Sequence, residues 1–402
     1  MSNSNIPVIV GAKRTAIGSF GGTLSNIPAV DLGAAAIRGA VEQSDIDPSI
    51  IEEVFMGCVV SAGQGQNPAR QAALKAGIPD SSSAVTLNKV CGSGLKTVMF
   101  AAGLVKAGDG DAFVAGGMES MNKAPYLLQQ GRTGYRLGDG KIVDSVVHDG
   151  LWCAIEDHHM GNSAEWIANE YGVTRDDQDQ FALKSHLNAN EAIEAGRFKE
   201  EVVPFSVPQR KRDPLTFDTD ENPRKDISIE GLARLRPVFQ PDGSVTAGNA
   251  SAITDGAAAT VVMSQAKAER LGIKSLAKIT GYTNAGVKPL EIFTAPAYAL
   301  MKLYEMTGTT VDDYDLYELN EAFASQCLGD GKILAENGIN LDWDKVNVNG
   351  GAIAIGHPIG CSGTRVLVTL IYALKQRGLK TGIASLCLGG GEAVAMSIEL
   401  LD

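Results

Sequence analysis

Three short runs set a reactive side chain among glycines: Asn88-Lys-Val-Cys91-Gly-Ser-Gly-Leu95, Gly356-His357-Pro-Ile-Gly360 and Cys387-Leu-Gly-Gly-Gly391. Each lies where strand patterning gives way to a turn, so a sulfur, an imidazole and a second sulfur can meet at one edge of a sheet. The nucleophilic form of cysteine is the thiolate, and a helix opening near Ser93 would aim its first amides at the Cys91 sulfur and stabilise that form. A neutral histidine can take a thiol proton and later donate a hydrogen bond to a forming oxyanion. Acyl transfer alone needs one nucleophile and one base, so Cys387 makes sense if the reaction also removes a proton from carbon. The bare amides of Gly389 and its two neighbours could form an oxyanion pocket. Asn320, in Asn320-Glu-Ala-Phe-Ala324, could hold a water at a substrate carbonyl.

Each residue has a plainer account when taken singly. A lone cysteine is more often a small buried apolar side chain, and one histidine among five is more often a satisfied core residue. Asn320 is a good N-cap for a helix opening at Glu321. The flanking glycines and the helix start favour Cys91 as a nucleophile; Cys387 alone would favour the buried-strand account.

The elements that must position these groups alternate. Strands are expected at 7–10, 53–60, 84–90 and 112–115, with helices at 28–43, 67–76 and 93–106 between them, as in stacked βαβ units. Charged residues, prolines and isolated glycines displace this regularity from 117 to about 249, which reads as an insertion holding helices at 164–171 and 175–195. Regular alternation resumes with strands at 257–263, 276–285 and 315–319 and helices at 295–306 and 321–337. The last segment repeats the order around Cys91: strand 346–348, glycine turn, helix 363–374, strands 383–388 and 393–400. A weak internal duplication follows, with reactive turns at the C-terminal edge of a sheet, where ligands bind in open α/β folds.

The 402 residues exceed one ordinary core, and 44% hydrophobic residues with 46 glycines fit an α/β protein of tightly packed helices on sheets. A net charge of −12 without a dense basic run argues against a nucleic-acid surface; the short cluster Arg210-Lys-Arg212 reads as a solvated loop. No apolar stretch reaches the ~20 residues that cross a bilayer, and residues 1–8 lack the features of a targeting segment, so a soluble, cytoplasmic protein away from membranes is expected. Six scattered cysteines without C-x-x-C pairing are expected to be free thiols, and no metal site is expected.

Taken together, Asn88-x-x-Cys91-x-Ser-Gly, Asn320-Glu-Ala-Phe-Ala, Asn349-Gly-Gly-Ala-Ile-Ala-Ile-Gly-His357-Pro and Cys387-x-Gly-Gly-Gly391 closely resemble the thiolase family, specifically its acetyl-CoA acetyltransferases. The resemblance runs from Val8 to the final strand. It implies an α/β thiolase fold: two similar five-stranded mixed sheets in an αβαβα layering, with residues 1–118 and 250–273 as one half, 119–249 as an inserted loop domain and 274–402 as the other half. It implies reversible condensation of acetyl-CoA to a 3-ketoacyl-CoA, and thiolysis in reverse, with coenzyme A thioesters as substrates and no cofactor. Cys91 would carry the acyl group, His357 would activate it, and Cys387 would move the carbon proton. His357 and an Asn320-held water would serve the enolate, and the amides of Cys91 and Gly389 the tetrahedral species. For coenzyme A the resemblance implies His159, Met160 and Ser251 along the pantetheine, Leu151 and Phe239 along the tunnel, and Arg224 at the adenine or phosphate. A homodimer or homotetramer is expected, the latter through a loop at 129–144.

One departure stands out. Acetyl-specific members usually carry a methionine before Gly-Thr-Gly-Pro, where this chain has Ile292-Phe293-Thr-Ala-Pro296, which leaves acyl preference open. Among rivals, a decarboxylating ketoacyl synthase has no need of a second reactive cysteine, a non-catalytic carrier would not keep all four groups, and a dinucleotide dehydrogenase would open with G-x-G-x-x-G after its first strand.

Overall fold

The computed structural model describes residues 5–401; residues 1–4 of the stretch read for targeting signals lie outside it. The first half runs β1 (Pro7–Thr15), α1 (Ala29–Ser44), β2 (Glu53–Gly57), α2 (Pro68–Ala76), β3 (Ser83–Leu87), α3 (Ser93–Ala107) and β4 (Ala112–Ser120). The intervening residues 121–253 hold α4 (Met160–Glu170), α5 (Arg175–Glu194) and short two-stranded ribbons. Regular alternation returns with β5 (Thr254–Ser264), β6 (Ala277–Gly286), α6 (Ala295–Thr307), β7 (Leu316–Leu319), α7 (Ala324–Glu336), α8 (Ile359–Arg377), β8 (Thr381–Leu388) and β9 (Glu392–Leu400).

One hydrogen-bonded path runs β7-β8-β9-β6-β1-β5-β4-β2-β3. Only Val8 and Ile9, opposite Lys278 and Ala277, join its two parts, so it behaves as two sheets. The first has the expected five strands, β1, β5, β4, β2 and β3. The second has four and a single bridge, because 346–348 is not a strand: Val346 alone pairs with Tyr317. Asn347, at φ 47°, turns the chain away, and its carboxamide accepts from the Leu319 N–H and donates to the Leu319 carbonyl. A side chain thereby satisfies backbone groups that a fifth strand would have paired. The long inserted segment is not wholly outside the sheet either, since Val202 and Val203 pair in parallel with Arg14 and Thr15.

Helices α3 and α8 pack on each other between the two sheets, α1 and α2 cover the outer face of the first, and α6 covers that of the second, which gives the αβαβα layering. Every residue of α8 from Ile359 to Leu374 is buried, so it lacks the polar face of a one-sided helix. The two central helices meet backbone to backbone: a Cβ on Gly363 would lie 2.3 Å from the Leu95 nitrogen, and one on Gly94 2.8 Å from that of Thr364. Gly94, one of the glycines flanking Cys91, serves this crossing. The 18-residue window Val90–Ala107 is apolar on average and close to a membrane span in length, but just over half of it is buried inside the fold.

Candidate active site

The sharp turn at Cys91 is built by its neighbours. After β3, Asn88 accepts the Val90 N–H on its carboxamide oxygen, and the Ser93 hydroxyl accepts from Lys89 N–H while donating to the Val90 carbonyl at 2.6 Å. Between these braces Val90 is held at φ 46°, a conformation that a β-branched residue adopts only when its surroundings impose it. Cys91 then faces a cavity just before the first turn of α3. The amides of Gly389 and of Cys91 itself point at its sulfur and favour the thiolate, but burial outweighs them and pushes the thiol up to about 12. The amides aid the thiolate as expected, but desolvation outweighs them, and the resting group is a neutral thiol whose proton must pass to a base.

His357 carries the complementary bias. Burial, aided by the nearby Arg365 charge, lowers its imidazole to about 3, so it is neutral at physiological pH. Its Nδ1 lies 2.6 Å from the Ser362 hydroxyl, which donates its own proton to the Pro358 carbonyl at 3.0 Å. Ser362 must then accept from Nδ1–H, which leaves Nε2 as a bare lone pair. That Nε2 is buried and has no protein partner, as a base awaiting a substrate proton should be. Ser362 escaped the sequence reading because α8 begins at Ile359, four residues earlier than expected, and brings it beneath the imidazole.

Cys387 lies near the end of β8, 1% exposed, its thiol raised well above the ordinary range by burial and then by the proximity of Cys91 and Asp330. Gly389 follows at the turn into β9. Asn320 does not cap a helix: α7 begins only at Ala324, and both polar atoms of the Asn320 carboxamide are buried without a protein partner. Its position is fixed by Glu321, whose carboxylate accepts from the Ser185 hydroxyl, the Asn347 carboxamide and the Ile353 N–H.

A cavity of about 300 Å³ brings together Cys91, His357, Cys387 and Gly389 with Leu151, His159, Met160, Phe239 and Ser251. His159 caps α4 by accepting the Gly161 N–H and stacks on Phe239 at 4.8 Å; burial and the adjacent His158 lower its imidazole. The strap carrying Ser251 is tied on both sides, Ser251 N–H donating to the Ala322 carbonyl and His357 N–H to that of Ala252. Two expected residues do not line the cavity. Asn320 is buried just before the lining residues Ala322 and Phe323, and Arg224 is exposed, with its backbone held by His186 and Asn190. A larger cavity of about 520 Å³, beside Phe181 and Trp343, contains none of these groups, and its Lys184 and Lys332 amines are committed to Asp344 and to the Tyr171 and Gly172 carbonyls.

All six cysteines are free thiols. Among the described residues no group of three or more His, Cys, Asp or Glu side chains could hold a metal ion; His158 is bonded to Ser163, and His159 to Gly161.

Residues 7–266 match the family described as thiolase, N-terminal domain, and residues 273–400 match thiolase, C-terminal domain. The acetyl-CoA acetyltransferase of Pseudomonas aeruginosa is 52% identical over 393 residues, 97% of this chain and 98% of that one. That of Cupriavidus necator is 52% identical over 392 residues, 98% of each. The crystal structure of the Bacillus anthracis acetyl-CoA acetyltransferase matches with a TM-score of 0.96 at 44% identity, covering 100% of both chains. Its two strand groups, its paired central helices and both family domains across nearly its whole length place one conclusion beyond the cavity's chemistry: this chain belongs to the thiolase family.

Proposed function

We propose that this chain catalyses reversible condensation of an acyl-CoA with acetyl-CoA to a 3-ketoacyl-CoA, acetoacetyl-CoA when both are acetyl, and thiolysis in reverse. The observation that carries this reading is the convergence of two protonated thiols, a bare imidazole nitrogen and the Gly389 amide in one apolar cavity. Cys91 attacks the thioester carbonyl, and its proton passes to His357 Nε2. The departing CoA sulfur takes the proton of Cys387 and leaves as a thiol. Both remaining charges then suit the second half: the Cys387 thiolate removes the α-proton of acetyl-CoA, and the new Nε2–H of His357 donates to the enolate oxygen. The carbanion attacks the Cys91 thioester, whose oxyanion accepts hydrogen bonds from the Cys91 and Gly389 amides. Collapse expels the Cys91 sulfur, which recovers its proton from His357, and every group returns to its resting state.

The raised thiol of Cys387 and the depressed imidazole of His357 support this order, since each favours return to neutrality. Buried Asn320, with both polar atoms unpartnered, supports a water-mediated role at the enolate. The ribbon pairing Tyr126–Leu127 with Val143–Asp144, which exposes Tyr126, Leu137 and Ile142, supports assembly into a homo-oligomer. The reading predicts CoA-dependent consumption of acetoacetyl-CoA by the purified protein; a folded protein that leaves acetoacetyl-CoA intact would contradict it.

A further inference from the structure

The catalytic cavity has an aromatic wall whose rings touch in sequence. His159 stacks on Phe239 at 4.8 Å, Phe239 meets Phe323 edge on at 6.2 Å, and Phe323 meets Phe293 edge on at 5.3 Å. Exposure falls along the same line: His159 and Phe239 are half-buried, Phe323 is 8% exposed and Phe293 2%. Phe293 is thus the deepest ring, in one apolar cluster with Ile292 and Cys387.

Its segment cannot easily swing aside. Pro289–Thr294 forms a 3-10 turn in which the Thr294 hydroxyl donates to the Glu291 carbonyl. Just before it, Val287 N–H donates to the carbonyl of Gly391 in the Cys387 turn; just after it, Ala297 N–H donates to buried Asp330. A ring pinned at both ends and edge-packed on a neighbour yields less than an unbranched side chain would, and forcing extra methylenes against it displaces packed atoms.

We propose that Phe293 closes the acyl end of the cavity and restricts the enzyme to the shortest acyl groups. This rests on the condensation reading given above, and the experiment separates the two. Thiolysis of acetoacetyl-CoA, 3-ketohexanoyl-CoA and 3-ketooctanoyl-CoA is measured for the wild type, Phe293→Ala and Phe293→Leu. In the wild type kcat/KM should fall at least about tenfold from the four-carbon to the six-carbon substrate, the scale on which a packed pocket wall discriminates methylenes. The six-to-four-carbon ratio should rise by about tenfold in Phe293→Ala and by less in Phe293→Leu. A flat wild-type profile, or an unchanged ratio in either folded variant, overturns the role of Phe293 while leaving condensation intact. Loss of acetoacetyl-CoA thiolysis in the wild type itself overturns both. The wild type also decides without substitution: acetyl-CoA should add its acyl mass to Cys91 under conditions where hexanoyl-CoA leaves it largely unmodified, and equal modification overturns the proposal.

Discussion

The site works through opposed displacements of its proton affinities. Cys91 is raised to about 12, so at neutral pH almost none of it is thiolate, and a step of one pH unit should raise the thiolate fraction about tenfold. Alkylation of Cys91 by iodoacetamide, located by peptide mass, should accelerate by about that factor per unit from roughly pH 7 to 10; a plateau beginning near pH 7 would instead reveal a standing thiolate. His357 is lowered to about 3, so its Nε2 remains unprotonated, and competent as a base, far below the pH at which an ordinary histidine would charge. What holds that nitrogen bare is Ser362. Ser362→Ala removes the acceptor for Nδ1–H and frees the other tautomer, so kcat should fall about tenfold to a hundredfold, as when an orienting partner of a histidine is lost, with KM little changed. Ser362→Thr should restore most of it, and an equal loss in both would point to packing alone.

At the scale of elements, the central pair α3 and α8 sets the meeting of the reactive turns, one on each helix start. Gly363→Ala would drive a methyl into the Leu95 amide and force the helices apart, costing about 1–3 kcal/mol and lowering the thermal midpoint; an unchanged midpoint would mean that the crossing is not tight. The sequence made the helices, most strands and the three reactive turns legible, because periodicity and glycine-flanked Cys91, His357 and Cys387 are local signals. Other features depend on groups far apart in the chain. Asn347 replaces a strand by bonding Leu319, Glu321 reaches Ser185 to fix the Asn320 segment, and Phe293 lines the cavity by packing on Phe323. The cap expected of Asn320 failed for the same reason: its backbone joins the end of the second sheet, donating to the Ser385 carbonyl, and the helix starts four residues later.

At the scale of the whole molecule, the central helices join the two halves, and buried charge ties the inserted segment to the first. Arg14, fully buried on β1, binds Glu201 at 2.6 Å and Asp220 at 2.7 Å, both from the inserted segment. Arg14→Met would strand two buried carboxylates and should destabilise the fold by about 3–5 kcal/mol, read as a lower denaturation midpoint; a neutral effect would mean that the segment is held by other contacts. Catalysis divides between the halves, since Cys91 lies in the turn before α3 of the first and Cys387 on β8 of the second. The central claim is that these two thiols perform separate half-reactions. The most direct measurement follows the protein mass after mixing with acetyl-CoA, alongside acetoacetyl-CoA formation, in the wild type, Cys91→Ser and Cys387→Ala. The account predicts a retained acetyl mass on Cys91 in Cys387→Ala with condensation abolished, and no acetyl thioester in Cys91→Ser. An acetyl group carried on Cys387, or equal loss of both half-reactions in Cys387→Ala, would contradict it.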